Sequence, residues 1–166
     1  MISNTIVLKD VVCDMEVDSD EISLDYQGSH YVFCSEQCLE RFRLNPHLYI
    51  GYPGSEAPKH AGVVVLKKRR LKLAEPFPQE VSSQFIEYIE AMMGVQHIEI
   101  NGNCIDITYD LIQVTELQIE EKITEAGIVL GDDLTEKIRR AFVHFMEETE
   151  VESLEARPGS RGGYHH

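Results

Sequence analysis

Tryptophan is absent from the 166 residues, and cysteine is sparse at four. Four thiols in a chain this long do not make a disulfide framework, which small secreted scaffolds build from dense cysteine. Basic charge is scarce as well: 15 Lys and Arg stand against 29 Asp and Glu, a formal net charge of −14. Such a surface repels phosphates, which argues against nucleic acid or an anionic membrane as partner. The longest aliphatic stretch, VVVL at 63–66, falls far short of the ~20 residues a bilayer-spanning helix needs. The first residues, MISNTIVLKDVVCD, lack the basic start and long apolar run of a secretory signal. The expectation is a cytoplasmic chain without membrane insertion, in a compartment that keeps thiols reduced. Enzyme signatures are missing too. There is no Gly-rich phosphate loop, no H-E-x-x-H and no nucleophile elbow, so the chain is not expected to be an enzyme.

What is present falls into two blocks. Residues 51–62, GYPGSEAPKHAG, carry three Gly and two Pro and are expected to form a linker. The block before it, 1–50, holds three of the four cysteines. Within it, EISLDYQGSHYVF alternates around Gln27–Gly28 and predicts a hairpin, with Ile22, Leu24 and Tyr26 on one face. Ser35 is a good helix N-cap, and Asn45–Pro46 should end the helix that follows. The block after the linker, 63–155, predicts a strand at GVVVLKKRRLKL and an amphipathic helix through Val81, Phe85, Ile86, Ile89 and Met92. A hairpin about Asn101–Asn103, a helix capped by Thr115, a short strand at 128–130 and a long last helix complete it. Strand–helix–strand–strand–helix–strand is the ferredoxin-like order. The fold class is therefore α+β, a small cysteine-bearing hairpin and helix module followed by a ferredoxin-like βαββαβ unit with an extra C-terminal helix. Residues 156–166 should be a disordered tail. Its final His165 and His166 are left out of the site because they could be a tag remnant.

The chemistry-bearing pattern is Cys13, Cys34 and Cys38, spaced C-x20-C-x3-C. Cys34 falls at a strand end and Cys38 in the first turn of the following helix. Helix N-termini carry partial positive charge and free N–H groups, which stabilise the thiolates that bind metal. If Cys13 closes the third side, three thiolates suit Zn(II) with one more ligand, or Cu(I) in a trigonal site. Met15 is the candidate fourth ligand, through a thioether that favours Cu(I); Asp14 and Glu16 would serve a harder ion. An open fourth position would suit a carrier. His30 lies four residues back on the face of Cys34, roughly 13 Å away at strand rise, too far to share the ion.

Residues 10–51 resemble a YHS domain of the TRASH-type metal-binding group. That family opens on a pattern like D-P-V-C-G-M, against Asp10, Val11, Val12, Cys13, Asp14 and Met15 here. It continues with Y-x-F-C-S-x-x-C and N-P-x-x-Y, matched by Tyr31, Phe33, Cys34, Ser35, Cys38, Asn45, Pro46 and Tyr49. Val11 stands in place of the proline and Asp14 in place of the glycine. The resemblance implies a metal role for the three cysteines. The second block resembles the heavy-metal-associated domains of copper chaperones and metal-transporting ATPases in element order and in MMGVQHIEING. Its first loop, AEPFPQEVSS, lacks their C-x-x-C, so it would be a degenerate, docking relative.

Together these readings make the chain a binder of a thiophilic transition-metal ion, Zn(II) or Cu(I), that carries, buffers or delivers it in heavy-metal transport or detoxification. The partner would be a metal transporter or another metal-trafficking protein, and two copies could share an ion as a homodimer. The rival expectation is a protein-interaction module held together by structural zinc. Cys104 stands alone and is expected to be structural. Met92 is expected in the core, and Met92 and Met93, as helical neighbours, should point about 100° apart. The basic run Lys67–Arg70 should divide over two strand faces and pair with the acidic helices.

Overall fold

The computed structural model describes residues 8–156. Residues 1–7, and the expected tail 156–166 beyond Ala156, lie outside the described residues. The elements are β1 (Leu8–Lys9), β2 (Glu16–Val17), β3 (Ser23–Tyr26), β4 (Ser29–Val32), α1 (Glu36–Leu44), α2 (His47–Ile50), β5 (Leu66–Lys72), α3 (Ser82–Glu90), β6 (Val95–Asn101), β7 (Cys104–Asp110), α4 (Glu116–Glu125) and α5 (Leu134–Glu155).

In the first fifty residues two small antiparallel pairs form, β1 with β2 and β3 with β4. The β3–β4 turn places Gln27 at φ 48° and Gly28 at φ 81°. Two successive left-handed residues match the right-handed twist of the strands they join. Phe42 on α1 sits among Tyr31, Phe33 and Tyr26, with ring centroids 4.8, 5.3 and 5.8 Å away. That aromatic knot presses α1 onto the β3–β4 pair.

The second block is built on an antiparallel sheet in the order β5-β7-β6. Register places Leu71 opposite Ile105 and Ile107 opposite Ile98, all buried. Their shared face meets the helices, while Arg70 pairs with Asp106 at 2.8 Å on the opposite face. The alternation of a one-sided sheet is therefore kept. The basic run divides as expected: Lys67 reaches Glu150 at 2.7 Å and Arg69 lies 3.8 Å from Glu147, both on α5.

The α+β class holds, with two corrections in detail. Residues 128–130 do not form a strand; they contribute a single bridge, Leu73 to Leu130, beside β5. Strand β5 begins at Leu66 rather than Gly62. Val65 instead donates its N–H to the Asp110 carboxylate at 3.0 Å, and only its carbonyl, which accepts the Leu111 N–H at 2.8 Å, still meets the β7 chain. Val81 is also exposed, because the chain enters α3 through a 3-10 turn over Gln79–Val81.

One apolar core runs through both blocks, from Val12, Phe33 and Phe42 to Leu71, Ile107 and Val151. Polar contacts stitch the same seam. Tyr49 donates its hydroxyl to the Ile112 carbonyl at 2.5 Å. Gln37 donates to the carbonyls of Met93 and Gln113 at 2.7 and 3.2 Å. Glu155, at the end of α5, accepts from the His47 N–H at 2.8 Å. Segment 51–62 folds back on the core with Ala57 buried. Gly51 has φ 67°, and a Cβ there would meet the Ser55 carbonyl at 2.7 Å, so the return requires glycine. Among the described residues no helix is long and apolar enough to cross a membrane.

Candidate metal centre

Residues 10–15 form a tight loop between β1 and β2. The Asp10 N–H donates to the Met15 carbonyl at 2.9 Å, and the Asp14 N–H to the Asp10 carbonyl at 2.8 Å. The loop closes because Asp14 takes a left-handed backbone, φ 65°. A glycine occupies this position in the pattern the loop resembles, and the backbone shows why; Asp tolerates it better than most side chains. Cys13 projects from this loop.

The other two cysteines come from the β4–α1 corner. Phe33 donates its N–H to Ile22 at 2.9 Å, which holds the chain in line as β4 ends. Ser35 then turns it, its Oγ accepting the Cys38 N–H at 3.4 Å as the N-cap of α1. Cys34 precedes the cap and Cys38 sits one turn inside it. The two segments are joined by the buried Asp10 carboxylate. Its Oδ1 accepts the Val12 N–H at 2.8 Å and its Oδ2 the Cys34 N–H at 2.9 Å.

The result brings all three expected sulfurs together. Cys13 Sγ lies 3.5 Å from Cys34 Sγ, which lies 3.7 Å from Cys38 Sγ. These separations exclude a disulfide, which needs about 2.05 Å. They approach the spacing of sulfurs on one ion: at a metal–sulfur distance of about 2.3 Å, tetrahedral ligands stand about 3.8 Å apart. Cys38 is fully buried and Cys13 and Cys34 half-buried, so the cluster opens on one side.

The electrostatics correct one expectation. The helix N-terminus does not lower every thiol in the group. Cys34 is pushed up to about 12, first by burial and then by its sulfur neighbour and Asp10. Cys38 is pushed up by its hydrogen bond to Cys13 and by burial. Cys13 alone is lowered, chiefly because Cys38 donates to it. Three sulfurs within hydrogen-bond reach, beside a carboxylate, cannot all ionise without a cation. Cys13 is the thiol that this geometry lets lose its proton first.

An oxygen of Asp10 belongs to the same cluster, with all four ligand atoms within 4.8 Å of one another. Asp14 and Glu16, the carboxylates expected to serve a harder ion, stand outside that cluster. Asp14 pairs with Lys59 at 3.4 Å, and Glu16 is exposed on β2. The available signal was the spacing D-x-x-C, which puts a carboxylate within a turn of the first thiol. Met15 is exposed on the wall of a cavity of about 580 Å³ that Cys34 also lines. His30 points elsewhere, bonded to Asp25 at 2.5 Å across the hairpin. Cys104 is half-buried at the start of β7, beside Asn103.

Met92 and Met93 both border that cavity, Met92 also packing in the core. The expected separation of about 100° holds only within a helix. Helix α3 ends at Glu90, and residues 91–94 turn, which brings both side chains toward the opening.

A second cluster went unread in the sequence: Glu116, Glu120 and His144, again with ligand atoms within 4.8 Å. Glu116 and Glu120, four apart on α4, share a helix face, and that spacing was its signal. Here the partners are already present. Arg140 lies 2.9 Å from Glu120 Oε1, and His144 hydrogen-bonds the other oxygen. A guanidinium and an imidazole take the lone pairs a cation would need, so the group is an ion-pair network docking α5 on α4.

The family model of the YHS domain matches residues 8–52. The matched segment contains Asp10, Cys13, Cys34 and Cys38, and it ends just past α2. No curated protein and no solved structure matched the chain.

Proposed function

We propose that the chain binds one thiophilic transition-metal ion, Cu(I) or Zn(II), as cargo through Cys13, Cys34 and Cys38, and hands it on. The observation that carries this reading is the approach of three sulfurs from distant segments to 3.5 and 3.7 Å. The YHS match over the same residues supports it. Asp10 positions the sulfurs and supplies an oxygen to the fourth side. Cys34 faces the cavity, so an incoming thiolate can reach the ion there and displace the chain's own ligands one at a time. The Met15, Met92 and Met93 thioethers at the opening are soft donors suited to Cu(I) on that route.

The role is carriage or buffering in a reducing, cytoplasmic setting rather than catalysis. The receiving partner is a metal transporter or another trafficking protein, met through a basic patch that answers the −14 charge. The C-terminal block fits a docking module of ferredoxin-like descent without C-x-x-C. The order β5-β7-β6, with a single Leu130 bridge on the outer side of β5, supports that reading.

Native mass spectrometry of the chain loaded with Cu(I) or Zn(II) tests the reading. One ion per chain is expected, lost in Cys34→Ala and Cys38→Ala and kept in Cys104→Ala. A carrier gives up its ion to a weak chelator and keeps its circular dichroism spectrum. Collapse of the fold on chelation would instead make the ion a structural zinc. Failure of the intact chain to bind either ion would overturn the proposal.

A further inference from the structure

Helix α5 shows an apolar stripe to solvent. Leu134 is 74% exposed, Ile138 59%, Phe142 62%, Phe145 62% and Met146 47%. At 100° per residue these five fall on the side opposite Glu136, Glu147 and Val151, which are buried against the rest of the protein. Single exposed apolar residues are ordinary, but five on one helix face are not. Together they leave on the order of 500 Å² of apolar surface uncovered, and with their flanks approach the ~800 Å² per partner of a stable dimer. None of them borders the cavity beside Cys34.

The charges of α5 are segregated along its length. Its exposed charges are Lys137 and Arg139 in the first half and Glu148 and Glu152 in the second. From this we infer that the stripe is a self-association surface on which two copies pair their α5 helices antiparallel about a two-fold axis. Antiparallel pairing lays the basic half of each helix on the acidic half of the other; parallel pairing would set like charge on like. A two-fold arrangement also needs one self-complementary patch rather than two.

Lys137 and Glu148 set the register. They are eleven residues apart, three helical turns, so both lie on the same flank of the stripe. Among the described residues neither makes an ion pair within the chain. Antiparallel packing brings Lys137 of each copy to Glu148 of the other, twice per dimer. On that flank, beside the second half of α5, lies an apolar groove of about 370 Å³ lined by Leu44, Leu117 and Val151. The same register delivers the other copy's Leu134, the most exposed residue of the stripe, to this groove.

Sedimentation velocity on the full chain, in physiological salt so that the −14 charge is screened, tests the inference. The expected species has twice the 18.9 kDa chain mass. Ile138→Glu and Phe142→Glu, at exposed positions, should give monomers with an unchanged circular dichroism spectrum. Lys137→Glu and Glu148→Lys should each weaken the dimer about tenfold, and the double exchange should restore it. A wild-type monomer at about 100 µM, well above the Kd of such an interface, overturns the inference. So does a dimer indifferent to Ile138→Glu and Phe142→Glu, or a double exchange no tighter than the single ones.

Discussion

Asp14 shows how one residue's backbone shapes the centre. At φ 65° it lets the loop fold so that the Asp10 carbonyl and carboxylate both face inward. A β-branched side chain is a poor fit to that conformation. Asp14→Val is expected to lower stability by about 1–2 kcal/mol, whereas Asp14→Gly should leave it within about half a kcal/mol. Thermal denaturation of the two variants beside the wild type checks this. The thiols make a second prediction at the same scale. Burial holds Cys34 up at about 12, and its bond to Cys13 together with burial holds Cys38 up as well. Both therefore carry protons at neutral pH, and an ion entering the site must displace them. Metal affinity should rise with pH by about two log units per pH unit, read by chelator competition between about pH 6.5 and 8.5. A slope near zero would mean that the sulfurs are already ionised.

Among the elements, two of the three side-chain caps, Ser35 and Thr115 but not Asp133, make a useful contrast. Ser35 caps α1 at the cluster, and Thr115 caps α4 in a full capping box with Gln118. Each capping residue replaced by alanine should cost about 1 kcal/mol. Only Ser35→Ala should also weaken metal binding, because the Ser35 bond fixes the Cys38 backbone. Denaturant unfolding measures the shared effect and chelator competition the separate one. Both caps were legible in the sequence, since a cap is a local pairing of residues three apart. The β3–β4 turn and the start of α5 were legible for the same reason, whereas α3 stops at Glu90, short of the Met92–Met93 pair expected within it. The expected strand at 128–130 was not, because a strand needs a neighbour free to pair along its length. Beside β5 the chain turns at Gly131, where its N–H bonds to the Lys72 carbonyl at 2.7 Å, and only Leu130 forms a bridge.

For the molecule as a whole, the buried polar seam between the sheet and α5 sets how stability responds to pH. Burial, followed by the charges of Glu120 and Glu147, pushes Glu116 up to about 8 from its ordinary 4.5. The folded chain therefore holds a proton that the unfolded chain loses, and stability falls as pH rises through that window. Glu116→Gln should match the wild type in melting temperature near pH 4 and exceed it near pH 9. The melting temperature of the variant should also decline less between those limits, with a residual slope from Glu120, which burial raises as well.

The Cys34–Cys38 pair, the caps, the hairpin turns and the acid excess were determined by the sequence alone, while the meeting of that pair with Cys13 was not. Each of the former is either a composition or a pairing of residues within one turn of chain. Asp10 as the tie between two segments, the methionines at the opening, the Glu116–Glu120–His144 network and the bare face of α5 were decided only by the tertiary structure. Each depends on which surfaces meet across the fold. A helix with apolar residues around much of its circumference does not reveal which stripe the rest of the protein will cover.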